Sequence, residues 1–425
     1  MPPRRKVVIT GVGVVSPIGI GNEAFWQSLS AGQSGVHQLP HLARHGLPLA
    51  IGAEIRDFSP LPFVHQRKSL KVMCRDIQLS VAAASLARQQ AKLEPNQIDP
   101  DRLGVDFGAH TMPSDLEDLT PAYRVCLNGD QFDFSRWGEH ALDAMHPLWM
   151  LKYLPNMPAC HVAIAHNARG PNNSITQNEV SSLLAISEAV RAIERNWADA
   201  MIAGGAGSRV LPKMLVNSSL CDSFSRRTSD PAAACRPFDA DRDGLVNGEG
   251  AAAFILEEEQ FAQSSGATIL ARVLGYGAGC EVRRTVAGKS IPLQGTGIEV
   301  SIAAALRDAG LTSADIGHVN AHGLSTQEDD RAEAQAIRRL LGSVPVTAPK
   351  SYFGNLGAGT GAVELAVSLL SLIHSSVPPT LNYHRPDPAC PIHVLHTSPT
   401  ANLPPIALSL NHCTAGQTAA IILGR

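Results

Sequence analysis

The chain has 425 residues, 44% hydrophobic and 17% charged, and its 35 basic and 38 acidic side chains leave a net charge of −3. That length allows two ordinary domains or one large duplicated core, and the near-neutral balance offers no basic face for nucleic acid or an anionic membrane surface. Eight cysteines, at 74, 126, 160, 221, 235, 280, 390 and 413, are scattered without a CxxC pair, which points to reduced thiols in a cytoplasmic protein and to no metal site.

The basic start Arg4-Arg5-Lys6 runs straight into a β-pattern at 7–15, without the apolar stretch and small-residue cleavage site of a signal peptide. Its glycines, Gly11 and Gly13, lack the third glycine and the acidic partner of a dinucleotide fingerprint. Phe25, Trp26 and Leu29 predict an amphipathic helix, followed by a turn at 32–36. An alanine-rich helix is expected over 80–92 and a strand over 101–109. Residues 111–160, with Tyr123, Trp137, Trp149, Tyr153 and several prolines, read as an irregular cap of short helices. No apolar run approaches the roughly 20 residues that cross a bilayer, so no membrane span is expected.

The stretch 170–206 is the one around which the chain is organised. It reads as a Gly-Pro turn, a long apolar helix starting near 177–179, and a core strand entering a glycine turn at Gly204-Gly205. Val180, Leu183, Leu184, Ile186, Ala189, Val190 and Ile193 cover most of the helix circumference, so it is expected to be buried on nearly all sides. A helix start carries unpaired N–H groups and a partial positive charge, which suit a nucleophile or an anion, and Glu179 stands there. Farther on, Arg242 and Asp243 read as turn-holding charges, and 251–257 as a buried strand. Residues 297–323 then repeat the helix, short polar loop and strand of 80–110 about 210 positions later, which indicates a duplicated α/β unit. His322 follows an apolar strand, which favours a buried imidazole.

These segments together resemble the β-ketoacyl-acyl-carrier-protein synthases of the thiolase superfamily. The resemblance is carried by Glu188-Ala189, Ala198-Asp199 and Ala203-Gly204-Gly205-Ala206; by Arg236-Pro237-Phe238-Asp239, Arg242-Asp243-Gly244 and Gly248-Glu249-Gly250; by Ala321-His322-Gly323 with Asp330 and Glu333; and by Lys350-Ser351 with Gly354-Asn355. It implies a thiolase-like α/β fold of duplicated halves in a five-layer α-β-α-β-α arrangement, with an N-terminal half at 1–258, including the cap at about 110–160, and a C-terminal half at 259–425. In the family a cysteine opens the buried helix and accepts the acyl chain, and two further residues donate hydrogen bonds to a malonyl thioester carbonyl. The ungapped register puts Glu179 in the place of that cysteine, keeps His322 as one donor and replaces the second histidine by Asn355. An amide N–H still donates to a carbonyl, so the second change is mild. Lys350 and Glu364 also match, as a buried structural ion pair beneath the site or with a direct role.

The family's flexible Asn-Ser-Phe-Gly-Phe-Gly-Gly-Thr-Asn loop aligns with residues 410–418. Thr414 stands for the gating phenylalanine, His412 and Cys413 lie beside it facing the same cavity, and the loss of two glycines implies a stiffer loop. A carboxylate is a poor acyl acceptor. The resemblance therefore implies a non-condensing homologue, similar to the chain-length factors that pair with an active ketosynthase. In it Glu179 is an anion paired with His322, with a catalytic Glu179 as the alternative. A malonyl-carrier-protein decarboxylase using His322 and Asn355, or an atypical 3-oxoacyl synthase (an acyltransferase), stays open. Implied partners are acyl carrier protein and a second ketosynthase chain, in a homodimer or heterodimer; no cofactor is implied.

Overall fold

The computed structural model describes residues 4–43, 51–110, 115–221, 223–282, 285–286, 289–290 and 293–425. Residues 1–3, ahead of the basic start, and 111–114, within the expected cap, lie outside the described residues. The strands that carry the fold are β1 (Val7–Ser16), β2 (Leu103–Gly108), β3 (Asn172–Ile175), β4 (Ala200–Ser208), β5 (Glu249–Glu258), β6 (Ala271–Cys280), β7 (His318–Asn320), β8 (Pro345–Thr347), β9 (His393–Val394), β10 (Ile406–His412) and β11 (Gln417–Gly424). The main helices are α1 (Arg75–Ala91), α2 (Met157–His166), α3 (Ser181–Glu194), α4 (Thr296–Ala309), α5 (Gln327–Leu341) and α6 (Thr360–His374).

Among the described residues the strands run in the order β9-β8-β7-β10-β11-β6-β1-β5-β4-β2-β3, with a short strand Gly19–Ile20 beside β1. The two halves meet where β1 pairs with β6 through only Val8↔Arg272 and Ile9↔Ala271. Outward from that seam the pattern is the same on both sides. β5 is antiparallel to β1 and to β4, and β2 is parallel to β4; β11 is antiparallel to β6 and to β10, and β7 is parallel to β10. The repeat read in the sequence maps onto this arrangement: α1 leads to β2, α4 leads to β7, and each strand is the fourth out from the seam.

Strand periodicity sorts the side chains into layers. In β5, Ala251, Ala253 and Ile255 face the outer core built with α1, while Ala252, Phe254 and Leu256 face the central core built with α3 and α6. A third core lies between α4, α5 and the C-terminal strands, so the layers run helix, sheet, helix pair, sheet, helix. α3 is buried along most of its length, from Ser181 to Ile193, because strands of both halves press on it. Its partner runs on from a preceding turn as Gly357–His374, 18 residues that are long and apolar enough to cross a bilayer by composition. The sequence expectation of no such run is corrected here; 89% of this segment is buried inside the protein, where its apolar surface faces the central core.

A second correction concerns the glycines of β4. The strand continues through Gly204, Gly205 and Gly207 to Ser208 instead of turning. A Cβ on Gly205 would lie 2.6 Å from Ser182 Cβ and 2.7 Å from the Ala358 carbonyl oxygen, so glycine is needed for the close approach of α3. Between β2 and β3, a helix at Leu116–Val125 and several short turns carry a surface group of rings, Tyr123, Phe132 and Trp137 among them.

Candidate active site

The start of α3 is built from a single tight turn, Asn178–Val180, which places the Glu179 side chain in the interior. The Ser181 hydroxyl fastens this turn by accepting from Gln177 N at 2.8 Å and donating to the Asn178 carbonyl at 2.6 Å. Arg209, one residue past the end of β4, donates from Nη1 to Glu179 Oε1 at 2.6 Å. Asn355 Nδ2 donates to the same oxygen at 3.1 Å. Burial pushes the Glu179 carboxyl up, but the Arg209 charge and the Asn355 hydrogen bond outweigh it and hold the group below its ordinary value. Glu179 is therefore a carboxylate.

The expected pairing of Glu179 with His322 is corrected: its partners are Arg209 and Asn355. Arg209 itself was missed. The available signal was a lone arginine directly after a buried strand that ends at the site, since a guanidinium is rarely buried without an acid to meet.

His322 lies two residues past β7, fully buried. Lys350 donates to His322 Nδ1 at 2.8 Å, to the His322 carbonyl at 2.7 Å and to Glu364 Oε1 at 2.5 Å. An ammonium has three donors and no acceptor, so all three are matched and Nδ1 is an acceptor. The imidazole proton then resides on Nε2, which is buried and has no partner among the described residues. Burial, then the charges of Lys350 and His412, hold the imidazole well below its usual pKa, so His322 is neutral with one N–H to give. The backbone around it is clamped by Glu333 of α5, which accepts from His322 N at 2.6 Å and Gly323 N at 2.8 Å.

Lys350 and Glu364 form the expected pair beneath the site, and Asn411 Nδ2 donates to the other Glu364 oxygen at 2.5 Å. Burial pushes the Glu364 carboxyl up to about 7, against the pull of Lys350. Asn355 is equally fixed. Its Oδ1 accepts from Gly357 N at 3.0 Å and from Thr360 Oγ1 at 3.2 Å, which leaves Nδ2 pointing at Glu179. Asn355 is thus next to the helix mouth as expected, with one amide donor already engaged.

The end of β10 supplies His412, whose ring centroid is 4.4 Å from that of His322. His412 Nε2 lies 3.5 Å from Glu333 Oε2. Burial works against its charged form, and the Glu333 carboxylate more than compensates, leaving the His412 pKa raised. Between β10 and β11 the chain closes a tight turn, with Gly416 N donating to the Cys413 carbonyl at 2.8 Å and Cys413 N donating to the Gln417 carbonyl at 3.0 Å. Gly416 has φ +97° and a Cβ there would lie 1.8 Å from the Glu281 carbonyl oxygen. Cys413 is buried and Thr414 is exposed at the tip. Burial, then the Glu179 charge, raises the Cys413 thiol pKa, and the thiol donates to Gln417 Oε1 at 2.9 Å. It is a thiol, not a thiolate.

The five-layer duplicated fold, with its polar site at the mouths of two buried helices, agrees with a family model. The model for the N-terminal domain of beta-ketoacyl synthase matches residues 4–262, and that for the C-terminal domain matches 270–384. The chain belongs to the β-ketoacyl synthase family. It is 32% identical over 410 residues to a 3-oxoacyl-[acyl-carrier-protein] synthase 2 of Synechocystis, covering 96% of this chain and 94% of that one. It is 33% identical over 428 residues to the granaticin polyketide putative beta-ketoacyl synthase 1 of Streptomyces violaceoruber, covering 99% and 98%. Among solved structures, a β-ketoacyl synthase from Burkholderia phymatum superposes with a TM-score of 0.87 at 28% identity, covering 99% of both chains. The ishigamide ketosynthase/chain length factor superposes with a TM-score of 0.86 at 27% identity, again over 99% of both. A type II polyketide ketosynthase solved with its acyl-carrier protein and a hexaketide, AntDE:AntF, gives 0.83 at 27%, over 99% of both chains. Relatives of this chain thus span fatty acid and polyketide biosynthesis.

The signature Arg242 also does more than hold a turn. It donates to the Thr326 carbonyl at 2.9 Å and to Asp387 Oδ2 at 2.6 Å, fastening the N-terminal half to the loop ahead of α5 that follows His322. Asp243 keeps the expected local role, accepting from Ser225 Oγ and Arg226 N.

Proposed function

We propose that this chain is a non-condensing β-ketoacyl synthase homologue that works beside a cysteine-bearing ketosynthase and shapes the space for a carrier-bound acyl or polyketide chain. The observation that carries this reading is the 2.6 Å ion pair of Glu179 with Arg209 at the start of α3. An ionised carboxylate is a weak acyl acceptor, and one committed to a buried guanidinium is weaker still. In this reading Cys413 is not a substitute nucleophile: its buried thiol donates to Gln417 Oε1 at 2.9 Å. The partners in this reading are acyl carrier protein and a second ketosynthase chain, in a heterodimer or a homodimer, and its location is the cytoplasm. The ketosynthase/chain length factor pair and the carrier complex among the similar structures support it.

A second reading is favoured by the free Nε2–H of His322. A neutral, buried N–H with no competing partner among the described residues is suited to a thioester carbonyl that becomes an enolate oxygen. In this malonyl-carrier decarboxylase, the bond to the carboxylate carbon breaks, its electron pair passes to the enolate, CO2 leaves, and a proton adds at the α-carbon. Asn355 then contributes only after releasing Glu179.

Incubation of the full chain with acyl- and malonyl-carrier protein, followed by intact-mass analysis, tests both. The expected result is no acyl adduct; a stable adduct on this chain returns it to the condensing class. CO2 release that falls at least ~100-fold in His322→Ala selects the decarboxylase.

A further inference from the structure

The donors at the mouth of α3 form a carboxylate-binding subsite whose occupant is part of the chain. Arg209 Nη1 and Asn355 Nδ2 converge on one oxygen of Glu179, at 2.6 and 3.1 Å. Neither donor is loosely held. Asn355 is oriented by Gly357 N and the Thr360 hydroxyl, and Arg209 is held from its other nitrogen by Ser218 Oγ at 3.2 Å. Both side chains are at least nine-tenths buried, as is that of Glu179. The cradle is therefore set by its surroundings and not by the carboxylate it grips.

We propose that Arg209 is the positioning residue of this site, and that Arg209 and Asn355 make a subsite for a single small carboxylate, which Glu179 fills as an internal ligand. Removing the Glu179 side chain beyond Cβ leaves a space with the shape and donors for acetate, whose heavy atoms are those removed. The subsite recognises the negative charge through the guanidinium and a second donor to the same oxygen, so neutral acetamide is rejected. The inference rests on reading Glu179 as a non-nucleophilic anion, but its test does not involve acyl transfer.

The test uses the full-length chain and sodium acetate, with sodium chloride at equal ionic strength and acetamide as controls. Glu179→Ala is expected to gain thermal stability with acetate in a saturable way, as mass action requires when a ligand binds only the folded state. Wild type, already filled, and Glu179→Ala/Arg209→Met, which lacks the anchor, are expected to respond to acetate no more than to chloride. A flat acetate response in Glu179→Ala, or an equal response in the double variant, overturns the proposal. If Glu179→Ala does not fold, Arg209→Met decides by difference infrared spectroscopy. Without the guanidinium the carboxylate loses its shorter hydrogen bond, and the Glu179 carboxylate stretch, identified by isotope labelling of glutamate, is expected to shift from its wild-type position. The same carboxylate spectrum in both proteins overturns the proposal. An acyl adduct in the mass experiment removes the non-condensing reading while leaving the acetate response to be seen, whereas a flat acetate response removes this inference and leaves the adduct result standing.

Discussion

Two buried ion pairs sit at the ends of the two central helices, and their acids are pushed in opposite directions. Glu364 lies within the first turns of α6, gripped by Lys350 at 2.5 Å, yet burial carries its carboxyl up to about 7, helped by the charge of Glu333. Glu179 lies at the mouth of α3 and is held below its ordinary value, because Arg209 and Asn355 outweigh the burial. The Lys350 pair is closed: each ammonium hydrogen has an acceptor, and the network ends by fixing the neutral His322 with a buried Nε2–H that has no partner among the described residues. The Arg209 pair is placed at the start of α3 and takes up a donor on Asn355. The first pair supports the site and the second occupies it. An ion pair's place in the fold, and not its distance, separates support from obstruction.

The largest way to break this comparison is Lys350→Met. It strands Glu364 and frees His322 to turn, and a loss of about 4 kcal/mol in unfolding free energy is expected in urea titrations, the range for breaking a buried pair. Next is Arg209→Met, with an expected loss of about 3 kcal/mol near neutral pH, because Asn355 still holds the carboxyl. This second gap depends on pH. Glu179 has a depressed folded pKa, so its stabilisation is present above the unfolded value of about 4.5 and is lost as pH falls through the folded value. The difference between wild type and Arg209→Met is therefore expected to shrink on acidification, followed by urea midpoints at stepped pH. A gap that widens instead contradicts the assignment of Glu179 as the ionised partner.

Gly205→Ala sharpens the comparison from the packing side. Its Cβ would press on Ser182 and the Ala358 carbonyl, so a cost of about 2 kcal/mol is expected from overpacking. The displacement is centred on the start of α3, so the Glu179 pair is expected to be disturbed while the His322 pKa, followed by NMR, stays put. The smallest effect is expected for Thr414→Phe. Thr414 is exposed at the turn tip, and thermal unfolding is expected to stay within about 0.5 kcal/mol of wild type.

Much of this was legible in the residues. Val180, Leu183, Ile186 and Val190 recur at helical spacing and meet apolar surface on nearly every side, so the central helix and its burial were readable without coordinates. The repeat from 80–110 to 297–323 likewise announced two similar halves, because each helix–loop–strand unit needs the same patterning to pack. Lys350 and Glu364 were legible through the family resemblance, and the structure joins them as a buried ion pair. Three things were not. The glycines of β4 read as a turn because glycine marks both turns and close packing, and only the neighbouring helix distinguishes them. Gly357–His374 was passed over because a core helix and a membrane span share a composition. The partner of Glu179 is not legible, because the motif histidine is held neutral by burial and by Lys350, and the guanidinium and amide that reach the carboxylate come from distant positions of the chain.

The linear order of residues by itself determined the elements, the duplication, the family, and the presence of a carboxylate at the start of the central helix, because these depend on local spacing and on side-chain chemistry. Which cation faces that carboxylate, which tautomer His322 adopts and which amide hydrogen of Asn355 is engaged were decided only by tertiary structure. Each depends on the competition of several donors and acceptors, brought from both halves of the chain, for a few buried positions.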